Sequence, residues 1–321
     1  MEKNKINIPV FFTFDNSYVL PALVAINSLL KNASSEYNYF LYIVHSRLSD
    51  TNIERLKSIV NKYSYKAEIF FILVSSCDES WNLLHSKQHY SKEIYNKLIA
   101  PILFPQYDRI ICSDVDVVFL GDISPSYFLF DDDFYVAGVK DIFVPGILDW
   151  YVEFEEEEKT KLYEGIGAGY LLLNLKKMRL DNKHVEMINC YQENLFRLIQ
   201  PEQDVINLCC YPYIEYLPFE YLVCTGDYLS LKKNIAFRRE VLNPERILED
   251  ALSHPIQLHY SGFIKPWNSF FSLKQKIWLT ELLGTGYFMF FLKMFPCFLF
   301  QRCKKYNIKR FVHKIFDKFF K

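Results

Sequence analysis

Short oily runs and helical stripes take turns along the first 119 residues. Ile8 to Phe14 is an apolar run of β-forming residues closed by Asp15-Asn16, and it predicts a buried strand. Tyr18 to Leu30 repeats apolar residues at helical spacing, with Asp15, Asn16 or Ser17 placed to cap it. Phe40 to Val44 reads as a second strand. Ser49 then caps a helix marked by Ile53, Leu56 and Ile59-Val60. Ala67 to Val74 is a third strand, "SKEIYNKLIAPILFP" predicts a helix stopped near Pro101 and Pro105, and Arg109 to Phe119 is a fourth strand. Such alternation predicts an α/β fold, with a mostly parallel central sheet flanked by helices. Ligands of such sheets bind beyond the carboxyl ends of the strands.

The second half is less regular. "GIGAGYLLLNL" at Gly165 to Leu175 is a glycine-rich entry into another strand, and it lacks the G-x-G-x-x-G spacing of a dinucleotide site. Asn182 to Ile199 and Pro201 to Cys210 read as helices, and Ile256 to Trp267 as a short strand and a loop. The acidic run Glu153 to Lys159 reads as a solvated segment.

The fourth strand carries an oddity at its carboxyl end. "IICSDVDVVFLGD" interrupts an apolar run with Asp114 and Asp116. On an extended chain both point to one side while Val115 faces away. Two carboxylates so close repel unless a cation lies between them. Hard oxygen ligands suit Mg²⁺, Mn²⁺ or Ca²⁺. The bland alternative is a solvated turn. A rival is the D-x-D nucleophile of haloacid-dehalogenase-like phosphatases, with Asp114 as nucleophile. That motif usually follows the first strand, whereas here it follows the fourth.

"HYSGFIKPW" at His259 to Trp267 is a second dense motif. His259 offers a neutral imidazole to a metal, Gly262 lets a phosphate approach the backbone, and Lys265 offers a point charge to a diphosphate.

With these motifs the sequence resembles glycosyltransferase family 8, the retaining enzymes that use nucleotide sugars. It is most similar to its bacterial lipooligosaccharide and lipopolysaccharide α-galactosyl- or glucosyltransferases. Five landmarks occur in family order: "FTFDNSY" at Phe12, "CSDVDVVF" at Cys112, "GYLLLNLKKMR" at Gly169, "EQDVIN" at Glu202 and "HYSGFIKPW". The resemblance implies a Rossmann-like glycosyltransferase A fold and a UDP-hexose donor. It implies Asp114, Asp116 and His259 as ligands of Mn²⁺, with Mg²⁺ as the substitute. It places Thr13, Asp15 and Tyr18 at the nucleobase and ribose, and Lys97 near the diphosphate or sugar. Gly262 and Lys265 fall on the diphosphate contacts, and Val115 among the residues that bind the donor. Asp141 falls where an acid contacts sugar hydroxyls, and Gln203, with Asp204 beside it, faces the anomeric carbon. The chain departs from the family at Gly167, where an asparagine is common, and at Glu202, Ser17 and Lys97. An inactive UDP-sugar binding module is the reading that Gly167 favours.

Charge divides the chain. From Tyr287 onward there are nine basic residues and one acid, a net +8, which leaves −9 for the rest of a chain whose formal total is −1. The expected organisation is a catalytic domain over 1–280 and a basic aromatic tail over 281–321. Phe311, Ile315 and Phe319 recur at helical spacing among bases, the pattern of a helix on anionic lipid. The overall balance gives no nucleic-acid signature. The amino-terminal residues hold no apolar segment of signal-peptide length, and the eight cysteines show no C-x-x-C pair. The expectation is reduced thiols in a cytoplasmic protein, peripheral on the cytoplasmic face of the inner membrane, with a lipid-linked or oligosaccharide acceptor.

Overall fold

The structure, a computed structural model, describes residues 5–74, 92–129, 131–141, 150–233 and 245–305. The first three predicted strands form within two residues of their expected ends, as β1 (Asn7–Thr13), β2 (Asn38–His45) and β3 (Ala67–Leu73). They pair in parallel, Val10 opposite Leu41 and Leu41 opposite Ile69. β4 (Arg109–Ser113) lies parallel on the other side of β1. β5 (Val117–Phe119) leaves for a second sheet, while β6 (Val136–Lys140), β7 (Ile166–Asn174) and β8 (Ile214–Tyr216) complete the first. The seven-stranded order is β3-β2-β1-β4-β7-β6-β8, with β7 antiparallel to both β4 and β6. β9 (Val223–Cys224) and β10 (Gln257–His259) form the smaller sheet with β5, in the order β5-β10-β9.

The helix α1 (Val19–Asn32) shows why two sheets coexist. Every residue from Val19 to Leu30 is buried, so the helix has no solvent face. Leu23, Ile26 and Leu30 pack with Val10 and Phe12 of β1. Leu20 and Val24 pack instead with Val118 and Leu258 of the small sheet. A helix apolar all round must be covered on all sides. Each leucine so buried contributes roughly 1.5–3 kcal/mol relative to exposure. α2 (Asp50–Asn61) has the expected cap, Ser49, and buries only Leu56, Ile59 and Val60.

Three expectations are corrected. The predicted strand Arg109–Phe119 is two strands in two sheets, and Asp114-Val115-Asp116 is the crossing between them. Asp114 N donates to Gly169 O (3.1 Å), extending the β4–β7 ladder, while Tyr260 N donates to Asp116 O (2.9 Å), beginning the β5–β10 pairing. Pro101 does not stop a helix. It sits in the first turn of a short one, Ala100–Leu103, where its missing N–H costs nothing. The glycines near 165 are not merely an entry, because Gly167 and Gly169 lie inside β7, whose nine residues are all buried.

Later helices carry the site and the carboxyl-terminal region: α3 (Lys183–Asn194), α4 (Pro201–Cys210), α5 (Gln275–Thr285) and α6 (Phe288–Lys305). Residue 280 lies inside α5. This helix packs Trp278 and Leu282 against Leu20 and Val24 of α1, and Glu281 pairs with Lys31 at 2.8 Å. α6 lays Phe291 and Phe298 into the same cluster and runs through Pro296. Phe311, Ile315 and Phe319 lie outside the described residues. Among the described residues, no helix is long and apolar enough to cross a membrane.

Candidate active site

The crossing between the sheets brings the two motifs together. β10 hydrogen-bonds alongside β5, His259 opposite Val117, so the imidazole arrives beside the carboxylates that end β4. Ligand atoms of Asp114, Asp116 and His259 lie within 4.8 Å of one another. His259 Nε2 is 3.2 Å from Asp116 Oδ1 and 3.7 Å from Asp114 Oδ2. Two carboxylates and one imidazole at this spacing are a donor set that fits a divalent cation. Val115 turns the other way, with its side chain 4% exposed in the core.

Two lysines flank the acids. Lys265 donates to Asp116 Oδ2 at 2.5 Å and to the Tyr260 carbonyl. Lys97 is fully buried beneath Asp114, donating to its Oδ1 (2.7 Å) and to the Ala168 carbonyl (2.9 Å), with Glu202 Oε1 at 3.6 Å. Burial would neutralise Lys97, but Asp114 and Glu202 outweigh it and keep the ammonium charged. Burial also raises the carboxyl of Asp116, yet Lys265 and His259 hold it well below the usual carboxylate range. Burial pushes the imidazole of His259 down, and Asp116 opposite it more than compensates, raising it well above its ordinary value.

The other predicted residues lie around this centre. Tyr18 is near the acids: burial first, then Asp116 and Asp114, raise its hydroxyl, and its ring meets the edge of Trp267 at 6.0 Å. Thr13 ends β1, donating to Glu93 O and accepting from Asn96 Nδ2, both at 2.7 Å, while Asp15 caps the turn to Tyr18 by accepting from Ser17 N. Gly262 has φ +79°, a left-handed conformation that glycine adopts without strain.

Gln203 and Asp141 meet beside β7. Gln203 Nε2 donates to Asp141 Oδ2 at 2.7 Å, and Gln203 Oε1 accepts from Ala168 N at 3.0 Å. The amide is thereby fixed in both position and sense. Asp204 is committed differently. Its Oδ2 accepts from Ile199 N (2.7 Å) and Gln200 N (2.9 Å), and its Oδ1 accepts from Tyr151 Oη (2.8 Å). This carboxylate locks the entry to α4, so its contacts make it a positioning group for Gln203. Asp204→Ala is expected to destabilise the chain by about 1–3 kcal/mol, since it removes the acceptor of one buried and two partly buried donors. A chemical-denaturation midpoint unchanged from the parent would remove that role.

Several residues that sequence reasoning passed over shape the same place. Leu222 lies across Gly167 and Gly169: a Cβ at Gly167 would sit 2.7 Å from Leu222 Cδ2 and 3.9 Å from Gln203 Oε1. Leu222 therefore accounts for the glycine that replaces a larger residue there. Cys224 Sγ lies 3.8 Å from His259 Nδ1 and backs the imidazole. Glu202 was visible only as a departure, and its place beside Lys97 gives it an electrostatic partner.

The profile described as Glycosyl transferase family 8 matches residues 9–270. The chain belongs to glycosyltransferase family 8. A lipopolysaccharide 1,2-glucosyltransferase of Escherichia coli is 23% identical over 269 residues, covering 81% of this chain and 73% of that protein. The galactosyltransferase LgtC, solved with donor and acceptor sugar analogs, superposes with a TM-score of 0.67 at 18% identity, over 86% of this chain and 96% of that one. The bifunctional WbbM superposes with a TM-score of 0.69 at 21% identity, over 91% of this chain but only 52% of that one. At such identities the structural likeness carries the fold, which is the Rossmann-like glycosyltransferase A fold of these glycosyltransferases.

Proposed function

We propose that this family-8 protein is a retaining hexosyltransferase that moves galactose or glucose from a UDP-sugar to a glycan acceptor in lipopolysaccharide or other surface-polysaccharide synthesis. The observation that carries the reading is the convergence of Asp114, Asp116, His259 and Lys265 at the carboxyl edge of the sheet. A divalent cation held by Asp114, Asp116 and His259, Mn²⁺ or Mg²⁺, would supply a Lewis acid for the charge that grows on the leaving diphosphate. The likeness to a glucosyltransferase and a galactosyltransferase supports a hexose donor.

The chain's own residues divide the remaining work. Lys265 uses two of its three N–H donors on Asp116 and the Tyr260 carbonyl, which leaves one for a phosphate oxygen. Thr13, Asp15 and Tyr18 line the end of β1 where the nucleoside would lie. Gln203, fixed by Ala168 and Asp141, keeps a second lone pair on Oε1 for the cationic sugar. A neutral amide is a poor nucleophile, which favours attack on the same face from which UDP departs. The acceptor oxygen bonds to the anomeric carbon as the carbon–diphosphate bond breaks, and the acceptor proton passes to the leaving phosphate. Asp114 as a phosphatase nucleophile is disfavoured by the family and by Lys97, which holds Oδ1. The complete donor set weighs against an inactive binding module. The basic tail supports a place on the cytoplasmic face of the membrane, next to a lipid-linked acceptor.

A panel of UDP-sugars with Mn²⁺, scored for slow UDP release without acceptor, tests the reading. Galactose or glucose donors should be cleaved, and Gln203→Ala should slow cleavage about a hundredfold while weakening UDP binding little. Inorganic phosphate release with Mg²⁺ and no UDP release would sink it.

A further inference from the structure

The loop that carries Lys265 into the site also turns four large apolar side chains outward. Phe263, Ile264, Phe270 and Phe271 are 59%, 49%, 65% and 57% exposed, while Lys265 and Trp267 between them are 8% and 4% exposed. The loop is closed on itself. Lys265 N donates to Asn268 Oδ1 (2.9 Å), and Gln275 Nε2 donates to the carbonyls of Pro266 (2.9 Å) and Ser269 (2.7 Å). Its outward rings are therefore presented by a built turn. α6 continues the same surface. The Phe270 ring packs on Phe295 at 4.8 Å, and Arg302 Nη1 donates to Asn268 O at 3.2 Å. With Phe291 and Phe298 turned inward, α6 shows Met289, Leu292 and Phe300 outward at 65%, 46% and 61% exposure.

We propose that this aromatic loop and the outer side of α6 form one platform that lies on an anionic lipid surface. Charge selects the occupant. Beyond Phe300 the sequence holds Arg302, Lys304, Lys305, Lys309, Arg310, Lys314, Lys318 and Lys321 against a single acid, Asp317. Exposed aromatic and aliphatic groups followed by bases are what an interface of acyl chains and acidic headgroups binds. A second copy of this chain would instead set two strongly basic segments against each other. Phe263 is two residues from Lys265, so binding at the platform holds the mouth of the metal site against the bilayer. The use of that placement, presenting a lipid-borne acceptor, rests on the transferase reading. The lipid binding does not.

The test partitions the full chain onto vesicles of phosphatidylcholine with and without phosphatidylglycerol, at physiological salt. The parent should bind the acidic vesicles and leave the neutral ones. The Phe270→Ser/Phe271→Ser double variant, with its tail intact, should partition at least about tenfold less. Its rate of UDP release from a soluble donor should be unchanged. Equal partitioning of variant and parent would overturn the platform and leave the tail as the attachment. Absence of parent binding, or self-association abolished by the variant with no vesicle binding, would overturn it as well. Should that variant fail to fold, Met289→Ser/Leu292→Ser on α6 carries the same expectation. Partitioning needs no donor and UDP release needs no vesicle, so failure of one reading is separable from failure of the other.

Discussion

Asp116→Asn is expected to lower metal-dependent UDP release by about a thousandfold while leaving the fold intact. The side chain is the electrostatic centre of the site. Its Oδ1 faces His259 Nε2 at 3.2 Å and its Oδ2 accepts from Lys265 Nζ at 2.5 Å. An amide of the same shape keeps an acceptor for one neighbour and loses the charge that serves both. The variant also changes how metal affinity depends on pH. In the parent, burial lowers His259 but Asp116 raises it further, so the ring carries a proton that a cation must displace. Mn²⁺ affinity should therefore rise with pH through neutrality. Without the Asp116 charge the largest influence that raises the imidazole is gone, and the ring is lowered by burial. The slope at pH 7 should then flatten. Mn²⁺ titration of both proteins from pH 6 to 8, beside initial rates, reads both effects. Parent-like turnover would show that Asp116 is no ligand, and an unchanged slope that it does not hold the His259 proton.

The parts legible in the sequence and the parts that were not differ for physical reasons. β1 and β2 could be read because strands buried on both faces are continuous apolar runs, and the half-buried edge strand β3 because it is rich in β-forming residues; their bounds fall within two residues of expectation. The break after Ser113 could not. Val115 and Val117 keep the run apolar through the turn, and only the pairing of Asp116 O with Tyr260 N reveals that the chain has changed sheets. The two motifs were legible as chemistry because each concentrates unusual residue types. Their junction depends on β5 and β10, three residues each, too short for any periodicity. Lys97 was expected near the diphosphate or sugar; it lies fully buried beneath Asp114, bonded to Asp114 and Ala168 with Glu202 beside it, a setting that no local pattern announces. Leu222 and Cys224 carried no signal, since nothing local marks an apolar side chain or a thiol for a polar site. The resemblance set Asp204 beside Gln203, and its carboxylate turns to the entry of α4. On a helix, neighbours in sequence face different ways.

The second large effect is expected at a residue with no side chain. Gly169→Ala should weaken Mn²⁺ binding about 10–100-fold, because it displaces a ligand through its support. A Cβ there would stand 2.9 Å from His259 Nδ1, 3.1 Å from its Cε1 and 2.9 Å from Leu222 Cδ1. The strand cannot retreat, since Asp114 N is bonded to Gly169 O and all nine residues of β7 are buried. The imidazole must yield instead, which takes Nε2 out of its present register with Asp116. Cys224 Sγ, 3.8 Å behind Nδ1, resists that movement, so part of the strain stays in the fold. A loss of about 1–3 kcal/mol in unfolding free energy should accompany the loss of metal. Gly167→Ala separates the two contributions. Its Cβ also meets Leu222, at 2.7 Å, but no atom of His259 lies within the same reach. It should destabilise the chain comparably and leave Mn²⁺ affinity within about threefold of the parent. Equal loss of metal in both variants would mean that Leu222, pushed from either glycine, governs the site, and that the direct contact with His259 does not.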